Sequence, residues 1–590
     1  MNCLMIFDHS NDLIYTKYNN ISFEEHFKKL AISQGLLPKG DEEGGILDKN
    51  VLIQIFSPIV SSHQIMHYQF GNSYTSITLN NGLKLHFYEF MGFLFISIDD
   101  DKIENLIDIY VTLAKYLCGP DIYQLQLNQS CAALYTQLID KWMSLHNTEQ
   151  SVLIEAIEQL IVNNDITSTC LQSLKDSITK LAVHEECSKV HALLFVDMKF
   201  LSLYSSSNAK QLSPSDILFI LLLTQNNSDG LQSFKVFLSG SEIENKCLPH
   251  SVHIVRLFEN VSLVYLIENG DPLVSVALYE TSLHLHKLRF IQAQREKESI
   301  QLGFENLDIA LRRLNDAIKK TKMKSLNNEH KKLLVKWDVL KGKYKDYLKS
   351  TNDEDLLRAE TLSMGFLDNL KELYSATVSD NSVLKCSATH VEPVIPNVAE
   401  ALGDFGEYFK VKGMKNFSLG SRDSLTVNKY LEEFPGLVHF LYIDRNTHRV
   451  TTPSLDMDAE KAEFIRERIW SMVSLARSHL QQGHTAIIWK DKIFTYGYFL
   501  WFEDSGGEGL KLTTTKSIGN KTPGILGENY YMKLKVAHFP KISPVKIRIY
   551  ELYVMHLGLV TAAAVLEQAR VLSSTVWELK GFPTLAIDLL

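Results

Sequence analysis

Hydrophobic residues in the first hundred positions come in short runs separated by turn-forming residues. Leu4-Met-Ile-Phe7 and Leu13-Ile-Tyr15 flank Asp8-His-Ser-Asn-Asp12, which predicts two strands and a turn. A polar stretch with Gly40-Asp-Glu-Glu-Gly-Gly45 follows, and Asp48 or Asn50 then caps a helix expected over 50–62. Tyr74–Leu79 alternates and meets Asn80-Asn81-Gly82, residues that accept positive φ and so mark a hairpin. Leu83–Phe90 and Phe93–Ile98 complete the strands. The period then lengthens: Ile103, Leu106, Tyr110, Leu113 and Leu117 recur at helical spacing up to Gly119-Pro120, and Tyr135, Leu138, Trp142 and Leu145 mark another helix. The order is β-β-α-β-β-β-α-α, which packs as a five-stranded antiparallel sheet covered by helices.

The same order returns twice. Val190–Val196, Phe200–Tyr204, a helix over Ile217–Leu223 opened by Ser213-Pro-Ser-Asp216, and strands at Ser233–Leu238, His253–Phe258 and Ser262–Ile267 form a second copy. Serine at the cap, proline behind it and an acid at the third position form a capping box. Two helical stripes follow, through Phe304, Leu307, Leu311, Leu314 and Ile318 and through Leu333, Trp337, Leu340 and Tyr344. A third copy starts near Leu437, with strands Val438–Ile443 and one near Val450, a helix over Ala459–Leu480, and the hairpin Ala486–Trp489 with Ile493–Phe502. Leu510–Thr515 is expected as its last strand, and helices near Pro544–Glu567 and Leu572–Leu579 close the chain. The fold class is therefore α+β with three such domains, at 1–149, 189–350 and 401–590. Residues 150–188 read as a helical connector and 351–400, where the periodicity fades, as a linker.

Composition narrows the function. The chain has 590 residues, 45% of them apolar, 22% charged, and a net charge of −9. That balance suits a folded multidomain chain and gives no global electrostatic basis for binding nucleic acid, which requires clustered positive charge. The apolar stretch Leu552–Leu566 is interrupted by His556 and Thr561 and falls short of the ~20 residues needed to cross a bilayer. The apolar run Cys3–Phe7 meets Asp8 at once, too soon for a secretory signal. Seven widely spaced cysteines without a C-x-x-C pair read as reduced intracellular thiols. A cytoplasmic location is expected.

Catalytic motifs are not found. Gly342-Lys343 lacks the upstream glycine of a phosphate-binding loop, and Gly519-Asn-Lys-Thr522 has the wrong order. Gly506-Gly-Glu-Gly509 reads as a hairpin loop. His184 and Cys187 have metal-like spacing without a second pair, and His284 and His286 point apart on a helix. No cofactor and no metal are expected. One charge feature stands out: 17 Lys or Arg and 8 Asp or Glu between His286 and Ser350 make that segment basic, although the whole chain is acidic. A solvated helix face is one reading. Contact of Lys319, Lys320, Lys322 and Lys324 with anionic headgroups or an acidic partner is the other.

Tyr430-Leu-Glu-Glu-Phe-Pro-Gly-Leu-Val-His-Phe-Leu-Tyr-Ile-Asp-Arg445, Tyr498-Phe-Leu-Trp-Phe-Glu503 and Gly527-Glu-Asn-Tyr-Tyr531 carry a family resemblance, supported by His191-Ala-Leu-Leu-Phe195, Ser213–Leu223 and Met1–Phe7. They resemble the Hermansky–Pudlak syndrome type 1 branch of a tri-longin family similar to Mon1 and Ccz1. A longin domain has the order β-β-α-β-β-β-α-α read above. The resemblance implies pairing with the Hermansky–Pudlak syndrome type 4 protein. The pair would act as a guanine nucleotide exchange factor for Rab GTPases of lysosome-related organelles such as pigment granules, with peripheral recruitment to their membranes. The first longin domains would present their first helices to the GTPase. Here that helix would be 50–62, with Asn50, Gln54, Ser57, Pro58 and Ser61 outward and Val51, Ile55 and Phe56 inward. An exchange factor makes no bond, which accounts for the missing motifs. A non-catalytic longin scaffold or tether is the alternative.

Overall fold

Asp8 closes the first hairpin. Its carboxylate accepts from the backbone N–H groups of Ser10 (2.8 Å) and Asp12 (2.9 Å), while Asn11 takes φ 65°. Short carboxylate and amide side chains bond nearby backbone and tolerate the left-handed region. The computed structural model describes all residues except 1–2, 19–20, 39–47, 80–81, 100–102, 104–105, 185–186, 226–229, 241–246, 322–326, 351, 379–380, 414–432, 454–458, 513–520 and 580–590.

In chain order, β1 (Cys3–Phe7) and β2 (Leu13–Tyr18) lead into α1 (Ile21–Ser33) and α2 (Lys49–Phe70). Then come β3 (Ser76–Thr78), β4 (Lys84–Phe90), β5 (Phe93–Asp99), α3 (Leu106–Cys118), α4 (Gln124–Leu127), α5 (Gln129–Thr148) and α6 (Gln150–Leu153). Next are β6 (Ile157–Gln159), α7 (Asn164–Leu181), β7 (Val190–Val196), β8 (Lys199–Ser205), α8 (Pro214–Thr224), β9 (Gln232–Leu238), β10 (Leu248–Phe258) and β11 (Val261–Glu268). A helical series follows: α9 (Pro272–Gln294), α10 (Lys297–Thr321), α11 (Asn327–Ser350), α12 (Asp353–Val378), α13 (Asn381–Val391), α14 (Ile395–Leu402) and α15 (Gly406–Gly413). The last part holds β12 (Leu437–Asp444), β13 (Arg449–Thr451), α16 (Ala459–Gln481), β14 (Ala486–Lys490), β15 (Phe494–Asp504), β16 (Gly509–Leu510), α17 (Tyr530–His538), β17 (Ile547–Leu557) and α18 (Ala562–Leu579).

The strand pairings show the repeat directly. The first sheet has the order β2-β1-β5-β4-β3. Strands β8-β7-β11-β10-β9 and β13-β12-β17-β15-β14 follow the same order, second-first-fifth-fourth-third. The second and third sets form one sheet because β6, in the segment read as a helical connector, pairs in parallel with both β8 and β13.

The chain divides into two units. One comprises Met1–Ile139, Ser233–Val252 and Ile267–Thr389. Its core places Met5, Phe7, Leu94 and Ile96 of the first sheet with Phe23 and Phe27 of α1 and Leu52, Phe56 and Val60 of α2. The other comprises Asp140–Gln232, His253–Leu266 and His390–Leu590, and its core includes Phe440, Tyr442, Leu552 and Val554 under Val565, Ala569 and Leu572 of α18.

Several expectations are corrected. The helix expected at 50–62 runs on to Phe70, and α1 precedes it, so it is the second helix of its domain and not the first. The 351–400 segment is largely helical: Val391, Val394, Val398 and Leu402 bury at helical spacing, while Pro393 and Pro396 sit in first turns, where a missing N–H is harmless. Helix α9, which carries His284 and His286, precedes the two helical stripes of the second copy. Within the expected helix Pro544–Glu567, Ile547–Leu557 is a strand with neighbours on both sides. A strand buried on both faces reads as a continuous apolar run, and that pattern alone does not distinguish it from a buried helix. Asp99 ends β5 and α3 begins at Leu106. Of the expected last strand Leu510–Thr515 only Leu510 is in a strand, β16, which pairs with β15, while 513–515 lie outside the described residues.

Candidate functional site

Asp48 caps α2, its carboxylate accepting from the Asn50 N–H at 3.2 Å. Val51, Leu52, Ile55, Phe56 and Val60 are buried against the first sheet. Asn50, Gln54 and Pro58 are exposed, and Ser57 and Ser61 are half-buried. All five therefore share the side of α2 that leaves the core, at i, i+4, i+7, i+8 and i+11 spacing. Pro58 has no N–H, so the Gln54 carbonyl lacks its usual helical donor four residues on. This stripe thus offers a backbone acceptor as well as small polar side chains.

Beyond the expected helix end, α2 continues with an apolar outer surface. Ile65 is 48% exposed and Phe70 67% exposed, and Met66 lies between them. Ile65 follows Ser61 by one turn and extends the same stripe. The inner side holds it rigidly: buried His63 stacks on Phe87 at 5.3 Å, and His67 pairs with Glu89 at 2.7 Å. Gly71 ends the helix at φ 62°. Sequence reasoning missed Ile65, Met66 and Phe70, although their helical spacing past Ser62 was a usable signal.

Lys319 and Lys320 are exposed in the last turn of α10. Lys322 and Lys324 lie outside the described residues. Part of the surrounding positive charge is paired. Asp308 holds Lys341 at 2.5 Å and also Arg312, Arg313 meets Glu280 at 3.4 Å, and Arg295 meets Asp353 at 2.9 Å.

The same unit contains a small cleft of about 30 Å³ lined by His9, Asp121, Tyr123, His286, Arg289 and Lys371. The Tyr123 hydroxyl donates to Asp8 at 3.0 Å, and the Lys371 ammonium lies 4.1 Å from the Tyr123 ring centre. Burial, with the charges of Arg289 and Lys371, pushes the His286 imidazole down to about 3. This volume holds a few waters. His284, two residues away, is also depressed by burial and does not line the cleft. In the other unit, His184 stacks on His390 at 3.7 Å and Cys187 is buried. Among the described residues no group of three or more His, Cys, Asp or Glu is placed to hold a metal ion.

The residues that carry the family resemblance converge. Arg445 donates to Glu551 at 2.6 Å, Tyr498 donates to the same carboxylate at 2.8 Å, and Tyr531 does so at 3.1 Å. Tyr553 adds another bond at 2.8 Å, and the Arg445 guanidinium stacks over the Tyr531 ring at 4.1 Å. Burial pushes the Glu551 carboxyl up, but Arg445 and the hydrogen bonds outweigh it and hold the group below the usual carboxylate range. Arg445 also donates to the Ile154 carbonyl at 3.0 Å, beside Glu155, whose carboxylate accepts the backbone N–H groups of Ile525 and Leu526. This cluster is a structural centre. It fixes the end of β12, the middle of β17, α17 and the segment before β6. Sequence models of the first, second and third longin domains of FUZ, MON1 and HPS1 match residues 2–145, 187–285 and 436–580.

Proposed function

The chain belongs to the tri-longin family of FUZ, MON1 and HPS1, and on that footing we propose that it is one subunit of a heterodimeric guanine nucleotide exchange factor for Rab GTPases. Within the family, the stretch ending at Arg445 favours the HPS1 branch. The partner is then the Hermansky–Pudlak syndrome type 4 protein, and the setting is the biogenesis of lysosome-related organelles.

The observation that supports this reading is the outer stripe of α2, where Asn50, Gln54, Ser57, Pro58, Ser61 and Ile65 stand on a helix fixed by its buried side. Exchange requires such a surface. A factor that binds the nucleotide-free GTPase more tightly than the loaded form must, by linkage, weaken the nucleotide to the same degree. Its task is to hold the switch loops away from the phosphates and magnesium, which calls for a rigid surface and no reactive group. Lys319 and Lys320 supply peripheral contact with an anionic membrane.

The test is release of fluorescent GDP from candidate Rabs, measured with this chain alone, with its partner alone, and with both. Acceleration by the pair supports the exchange reading. Binding of a Rab without acceleration would replace it with a scaffold or tether.

A further inference from the structure

Cys118 is the last residue of α3, and Cys131 lies in the first turn of α5. Their sulfurs are 3.7 Å apart. Both belong to the same unit, and twelve intervening residues, including the cleft-lining Pro120, Asp121 and Tyr123, connect them. We propose that Cys118 and Cys131 are a reversible redox modification site, oxidised to a disulfide by hydrogen peroxide.

Position divides the roles. Cys118 is buried and Cys131 only partly so, which makes Cys131 the sulfur that an oxidant reaches first. The N-terminal turn of a helix favours a thiolate, because unpaired N–H groups and the helix dipole point at it. Asn128 caps that turn, accepting from the N–H groups of Ser130 (3.0 Å) and Cys131 (3.3 Å). The Cys118 thiol, as hydrogen-bond donor, favours the Cys131 thiolate and holds it low against the effect of burial. Cys118 itself is held well above its ordinary value.

The Cys131 thiolate attacks one peroxide oxygen, the O–O bond breaks, and the departing hydroxide takes a proton to become water. This leaves Cys131 as a sulfenic acid. The Cys118 sulfur then attacks the Cys131 sulfur, the S–O bond breaks, and the Cys118 proton leaves with the hydroxide as a second water. Two thiols and one peroxide give one disulfide and two waters. The sulfurs must close from 3.7 Å to the ~2.05 Å of a disulfide, a distance within reach of side-chain rotation. The bond would tie the end of α3 to the start of α5 and fix the segment that carries Asp121 and Tyr123. A small-molecule thiol would reverse it.

The test uses the full chain, reduced, freed of reductant, treated with one equivalent of hydrogen peroxide, alkylated, digested and read by mass spectrometry. A linked Cys118–Cys131 peptide is expected, removed again by dithiothreitol. In Cys118→Ser, dimedone should trap Cys131 as the sulfenic acid, about tenfold faster than it labels Cys386, the other half-buried thiol. Circular dichroism checks that this variant remains folded. A different pairing, such as Cys118 with Cys247, no Cys118–Cys131 peptide from the unsubstituted chain, or Cys131 labelling no faster than Cys386 in folded Cys118→Ser, would overturn the proposal.

Discussion

Arg445 donates to Glu551 across 2.6 Å, 106 positions away in the chain, with both side chains wholly excluded from solvent. A buried pair contributes little net stability compared with a well-packed apolar pair, but removing one partner leaves an uncompensated charge in a dry site. Glu551→Ala is therefore expected to cost about 3–5 kcal/mol, and Arg445→Met with Glu551→Leu less than the single change. Urea unfolding measures both. A loss below about 1 kcal/mol for Glu551→Ala would show that the pair is not the centre of its domain.

Acid should destabilise the chain through its buried histidines. Burial holds His439 down to about 3 and His253 down to about 4. Unfolded histidine takes its proton near pH 6.5, so between that value and the folded values the unfolded chain binds more protons. Stability is then fully present above about pH 6.5 and falls as pH drops toward 4. At about pH 5 each such histidine accounts for roughly 2 kcal/mol of lost stability. His439 donates its Nε2–H to Gln150 Oε1 over 2.7 Å. His439→Gln should reduce the difference in unfolding free energy between about pH 7 and about pH 5 by that amount. An unchanged difference would count against this account.

Gln54→Arg and Ser57→Arg alter the outer stripe of α2 without entering the core. Their effect on stability should stay within about 0.5 kcal/mol, as for other surface changes. GDP release by the assembled pair should slow about tenfold, equivalent to about 1.4 kcal/mol of lost coupling. Normal release from an intact heterodimer, checked by size-exclusion chromatography, would remove α2 from the GTPase interface.

Ser213 caps α8 reciprocally. Its hydroxyl accepts from the Asp216 N–H at 3.1 Å, and the Asp216 carboxylate accepts from the Ser213 N–H at 3.1 Å. Ser213→Ala should cost about 1–2 kcal/mol in urea unfolding, toward the upper end because the cap is buried. No measurable loss would mean that water or a neighbour replaces the bond.

Lys319→Ala with Lys320→Ala removes two exposed charges. At about 1 kcal/mol each near an anionic bilayer, binding to phosphatidylserine-containing liposomes should weaken about 30-fold. Equal binding by both proteins would discard the membrane role of α10.

How much was legible follows from what each element needs. The hairpin of β1 and β2, the Ser213 capping box and the α2 stripe are set by residues within a few positions of one another, and the sequence shows all three. Strand β17 is not legible because Ile547–Leu557 is buried almost throughout on both faces, so its apolar residues do not alternate with polar ones and Arg548, Glu551 and His556 mark no strand period. Glu551 was missed for the same reason: a single acid in an apolar run has no visible partner until Arg445, Tyr498 and Tyr531 are brought around it.

Alone, the sequence determined the strands of the first two copies and the inward and outward sides of α2, because alternation, helical spacing and capping act over one or two turns. Tertiary structure decided the rest. It set the shared second-first-fifth-fourth-third strand order, joined two sheets through the three residues of β6, and brought the Cys118 and Cys131 sulfurs together. These outcomes depend on which distant surfaces bury each other and which buried polar groups find partners. No local pattern encodes that choice, since the free energy of a contact belongs to both of its sides.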